Sequence, residues 1–219
     1  MRINKIAACS LVWAYLFTMP AFGQADSASS TVYSIDTENS VLRVFVGRAG
    51  PLARLGHNHV VHTRDLSGEI ELASNPMDSS AAFSFPVSSF VVDDQSERDR
   101  AGEGFESQPG ESAIEGTREN MMGEDVLNAT EFGTIAISVS PVSITDTQWQ
   151  LAVDINFQGS TFSQQIPAQV TVTESQVDVA ATFTLEHEDL GLSPFSALGG
   201  SLRVAESIDF ELQVSATAQ

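Results

Sequence analysis

Three of the four histidines in the chain fall within one short run, GHNHVVH, from Gly56 to His62, and the fourth is His187. An imidazole can ligate a metal, carry a proton or anchor a hydrogen-bond network. Side chains on a strand repeat every two residues, so His57 and His59 point the same way. Two imidazoles on one face can chelate, but a zinc site wants three or four ligands. The best third ligand is His187. It continues the odd-numbered face of the strand that carries Val177, Val179, Phe183 and Leu185. His62 has the opposite parity and is expected to face outward unless a bulge intervenes. His57, His59 and His187 thus read either as a hydrogen-bonded cluster at one end of the fold or as ligands for a metal or haem.

Covalent chemistry finds less support. There is no GxSxG elbow and no HExxH. A serine could use one of these histidines as its base, because triads are spatial, yet no serine is marked out by its context. Asp93 and Asp94 are adjacent, so on a strand they would point apart. An exposed turn suits them better than a paired-carboxylate site. The sequence reads as a binding module, not an enzyme.

The elements that must position these residues alternate with a period of two. VLRVFV puts Leu42, Val44 and Val46 on one face. LAVDINF does the same with Leu151, Val153, Ile155 and Phe157, and VDVAATFTLEH with Val177, Val179, Ala181, Phe183 and Leu185. IDFELQV turns Ile208, Phe210, Leu212 and Val214 inward. TVYSID, HNHVVHT, SGEIEL, AAFSFPV, TIAISVS and QQIPAQVTV are further strand candidates. About ten short strands with one apolar face each predict an all-β fold, an antiparallel barrel or a sandwich. Phe83, Phe85, Phe157, Phe183 and Phe210 sit on the inward faces. Periodicity alone does not separate a filled interior from a hollow one.

The middle breaks the pattern. Asp93 to Ser112 is polar, charged and glycine-rich, and reads as a long loop. AIEGTRENMMGEDVL then reads as a short helix anchored by Ile114, Met121, Met122 and Leu127. Loops of such length are uncommon unless functional, and Asp93 to Glu119 is expected to cover the mouth of the barrel as a lid.

Residues 1–25 read as an address rather than structure. A basic start (Arg2, Lys5) leads into an apolar run from Ile6 to Phe17, then Pro20 and small residues. That is the layout of a secretory signal peptide, and the run is too short to span a membrane. Cleavage after Ala25 would leave one domain, residues 26–219, in the periplasm or outside the cell. That chain has lost Cys9 and the only lysine, and sets eight arginines against 29 acids, a formal charge of −21. It can form no disulfide, so a packed core must stabilise it. Its acidity excludes nucleic acid as a partner. Nothing after residue 25 is apolar enough for a transmembrane helix. A homodimer is left open.

The ordered motifs resemble the YceI-like family, periplasmic lipid- or polyisoprenoid-binding proteins with a lipocalin-like barrel. They are YSIDTENSVLRVFV, SGEIEL, VDDQSERDR, TRENMMGEDVLNATEFGTIAISV and LEHEDLGLSPFSALGGSLRVAESIDFEL, which all lie within residues 32 to 214. GHNH stands where many members have a Gly-Arg-Phe-like stretch, and the central loop is longer, so the chain looks like a GHNH-bearing branch. The resemblance implies an extended, eight-stranded antiparallel barrel with a short helical cap. It implies a long apolar ligand inside: a polyisoprenoid, an isoprenoid quinone or a fatty-acid derivative. No other cofactor is implied. Phe85, Phe157, Phe183 and Phe195 are the expected contacts for the chain of that ligand, with His57, His59 and His187 at its polar head.

Overall fold

The computed structural model describes residues 29–219. The expected leader, residues 1–25, lies outside the described residues. Twelve strand segments make up most of them: β1 Ser30–Ile35, β2 Val41–Ala49, β3 His59–Thr63, β4 Ser67–Ala73, β5 Ser80–Pro86, β6 Val91–Val92, β7 Thr134–Thr145, β8 Gln148–Phe157, β9 Ser160–Val172, β10 Gln176–Glu186, β11 Ser196–Ala197 and β12 Leu202–Ala218. Two α-helices, α1 Gln95–Ala101 and α2 Glu111–Met122, occupy the central insert.

Eight of the strands close a ring in the order β1-β4-β5-β7-β8-β9-β10-β12. The ring shuts where β12 returns to β1, through Tyr33 opposite Ala218 and Ile35 opposite Ala216. All neighbouring pairs in the ring are antiparallel. Every strand of the ring pairs with two neighbours, which reduces the free edge that so many short strands would carry. The remaining length of β12 pairs with β2, β2 with β3, and β3 with β6. Segments β2, β3 and β6 therefore prolong β1, β4 and β5 toward one end of the barrel. The first break is local chemistry. The Asp36 carboxylate accepts from the Glu38 and Asn39 amides, turning the chain between β1 and β2.

The alternation expected from the sequence sets the faces. Leu42, Val44 and Val46 on β2 line the interior, as do Leu151 to Phe157 at alternate positions on β8. Val177 to Leu185 on β10 and Ile208 to Val214 on β12 do so at alternate positions as well. Asp154, Asp178 and Asp209 lie on the exposed outer faces. The two-residue turn between β8 and β9 has Gln158 and Gly159 both at positive φ, 49° and 72°, the twist that suits a tight hairpin.

Two expectations about the insert need correction. The stretch read as loop contains α1, whose Asp94 side chain caps the Ser96 and Glu97 amides. This helix gave no apolar period because its buried residues are charged, Glu97 and Arg98. It packs against the outer wall at β3, not across the barrel mouth. Only the second part of the insert reaches the interior, through Thr117, Asn120 and Met121 of α2 and the following Val126 and Leu127. His62 leaves the cavity face, as parity requires, but it is buried, because α1 covers that side of the wall.

Candidate ligand-binding site

The barrel is hollow. Its cavity holds about 450 Å³ and is walled almost wholly by carbon, a size typical of small-molecule sites. Phe85 and Phe157 are buried in its wall, and Phe183 stacks flat on Phe210 with ring centroids 5.0 Å apart. Phe195 lines the rim and is 38% exposed. The four phenylalanines expected along the ligand chain thus all face one space. Trp149 and Val170 line the end remote from the histidines.

Polar groups collect at the other end. His57, His59 and His187 all line the cavity there, with Arg48 and Arg203 at the rim. Register fixes their levels. His59 pairs with Val46, Val46 with Ile208, and Ile208 with Leu185, so His187 stands one pleat beyond the level of His59. His57 meets His59 edge to face, with centroids 6.4 Å apart. Three strand spacings, about 14 Å of wall, separate the His59 and His187 backbones. Among the described residues no three His, Cys, Asp or Glu side chains gather as a metal site would require.

Each of these imidazoles is tethered through Nδ1. His59 Nδ1 lies 2.6 Å from Asp93 Oδ2. His187 Nδ1 donates to the Glu206 carbonyl at 2.8 Å, and His57 Nδ1 is 3.5 Å from Ser107 Oγ. His187 opens a short 3-10 turn, His187–Leu190, which ends at Gly191 with φ 65°. A Cβ at Gly191 would come within 2.8 Å of the Phe162 ring, so the turn that aims His187 depends on glycine.

Asp93 is the hub that sequence reasoning missed. Read as an exposed turn, it is fully buried, and its Oδ1 accepts from the Val60 amide at 3.0 Å and from Arg98. The reason lies in the backbone. Asp93 has φ 54°, so strand parity lapses there and the side chain swings inward. Arg98, one turn into α1, also donates to the carbonyls of Asn58, Phe105 and Ser107. It thereby ties the helix, the GHNH run and the following loop together. Burial alone would raise the Asp93 carboxyl. The hydrogen bonds from His59, the Val60 amide and Arg98 outweigh it and hold the carboxyl below its ordinary range. The spacing of Asp94 and Glu97 was the available signal. A capping residue three before an acid marks a helix start, and Arg98 follows at once.

The profile of the YceI-like domain matches residues 33–216. The chain belongs to the YceI-like family. Solved structures agree on the fold of this YceI-like domain. BcnA from Burkholderia cenocepacia shares 9% identity over 83% of this chain and 98% of its own, with a TM-score of 0.60. A polyisoprenoid binding domain from Saccharophagus degradans, implicated in plant cell wall breakdown, shares 12% over 86% and 99%, with a TM-score of 0.58. The YceI protein of Campylobacter jejuni shares 11% over 73% and 84%, with a TM-score of 0.50. No curated protein matches the sequence. At these identities the likeness shows the closed barrel and no more.

Proposed function

We propose that this YceI-like protein is exported and carries a long apolar ligand inside its barrel, without catalysing a reaction on it. The ligand class is a polyisoprenoid, an isoprenoid quinone or a fatty-acid derivative. The observation that carries this reading is the continuous, largely apolar cavity of about 450 Å³, with three histidines at one end. A chain that enters gains on the order of 25 cal/mol for each Å² removed from water. Its polar end must then find partners, because an unpaired buried polar group is costly. His57, His59 and His187 are placed to supply them. One structural relative is described as a polyisoprenoid binding domain, which favours the same ligand class.

Plugging the barrel tests the reading. Ala181 is buried in the wall of β10 and faces the cavity. Ala181→Trp fills the space without touching the histidines. Retention of a long-chain fluorescent lipid probe is expected to fall at least tenfold, since most of the ligand's burial is lost. Undiminished retention in a folded variant would move the ligand out of the barrel. Export is tested separately: the intact mass of the secreted protein should correspond to a chain starting at Asp26.

A further inference from the structure

We propose that the polar end of the ligand is a hydrogen-bond donor, the hydroxyl of a long-chain alcohol or phenol, accepted by His59 or by His187. This rests on the barrel being a ligand site. It adds which chemistry the histidine end reads.

The nearest partner of His59 Nδ1 is a carboxylate, Asp93 Oδ2, at 2.6 Å. A carboxylate in an ionised state only accepts. Arg98 and the Val60 amide both donate to the other oxygen of that carboxylate and keep it ionised. The His59 tautomer that fits this tether carries its proton on Nδ1 and leaves a lone pair on Nε2. His187 has the same tautomer, fixed independently. Its Nδ1 lies 2.8 Å from the Glu206 carbonyl, which can only accept. Both residues line the cavity, so with Nδ1 tethered the remaining nitrogen of each is the one available to a ligand. A hydroxyl satisfies such an acceptor. A ketone, an ether or an ester brings only further lone pairs.

Two alternatives share these residues. Lone pairs on histidine also bind metal, and a carboxylate or carbonyl behind the ring is a common support for a metal ligand. No third ligand joins them among the described residues. Arg48 and Arg203 could attract an anionic head group. However, Arg48 donates to the Gly56 carbonyl, and Arg203 faces Glu206 at 3.8 Å, at the exposed rim rather than inside.

The test uses the exported protein, stripped of lipid, with geranylgeraniol, its methyl ether and its monophosphate as probes. Trp149 lines the cavity, so its fluorescence reports entry of the chain. The alcohol is expected to bind roughly fivefold more tightly than the ether, the worth of one net hydrogen bond. The preference should shrink in His59→Leu and vanish in His59→Leu combined with His187→Leu. If none of the three probes binds, the carrier reading itself fails. If alcohol and ether bind equally, the carrier reading stands and the donor assignment is wrong. Tighter binding of the monophosphate than of the alcohol, or stoichiometric binding of zinc, also overturns the assignment. A second measurement does not depend on any variant folding. Histidine ¹⁵N shifts of the wild type should show His59 and His187 protonated on Nδ1 and bare on Nε2. Protonation of Nε2 in both rings would contradict the proposal.

Discussion

Two histidines of β3 stand three residues apart and face opposite sides of the same wall. His59 looks into the cavity and is gripped through Nδ1 by a buried carboxylate. His62 looks outward, lies under α1, and its Nδ1 has no partner. The acids around them are committed differently. Asp93 spends one oxygen on His59 and the other on Arg98 and Val60. Glu97 is held by Arg43 at 2.6 Å and by Arg64 at 3.0 Å, and makes no bond to His62. Burial is therefore not what marks a functional histidine here. The mark is a ring with one nitrogen fixed and the other left facing a cavity.

The largest expected effect breaks the inner side. Asp93→Ala leaves the Arg98 guanidinium buried without its carboxylate, and should cost about 3–5 kcal/mol by urea denaturation. It should also blur any head-group preference, because His59 loses its tether. Glu97→Ala is the matched control on the outer side. It leaves Arg43, which is 5% exposed, with Glu211 as its remaining anionic partner at 3.0 Å, and should destabilise by about 1–3 kcal/mol. Ligand preference should survive it. If Glu97→Ala altered preference as much as Asp93→Ala, the two sides would not be separate.

A smaller effect concerns acid. Burial disfavours the charged form of His62 and outweighs the nearby Glu97 and Asp94, so its pKa lies below the ordinary 6.5. The unfolded chain then binds a proton before the native one does. Stability should fall as pH drops below 6.5, and continue falling through the native pKa. His62→Leu should show less of that loss, with stability at neutral pH little changed. Urea midpoints above and below 6.5 compare the two proteins, and an equal loss in both would remove His62 as the cause. The smallest effect is at Arg64, whose side chain is 47% exposed. Arg64→Ala should cost less than about 1 kcal/mol, because solvent screens that pair.

The wall of the barrel was legible in the sequence because it obeys one rule. Alternation placed Leu42, Phe183 and Phe210 inward, and the structure has them there. It even turned His62 away from His59. What alternation could not show is whether the inward residues meet one another or enclose space, since a Val or Phe reads the same in either case. Asp93 was lost for a different reason. Its φ of 54° takes it off the strand pattern, so two adjacent aspartates looked like a surface turn. Helix α1 was lost because a seven-residue helix that buries charge leaves no apolar period. The order of the motifs carried the family, but the partners of each histidine belong to the folded chain.

The most direct measurement is native mass spectrometry of protein exported with its own leader, with lipid extraction and metal analysis of the same sample. The account predicts a retained mass that extracts as a long-chain lipid, at up to one per barrel. A stoichiometric metal or haem with no lipid would contradict it, and would make the histidine end a ligand set for that group.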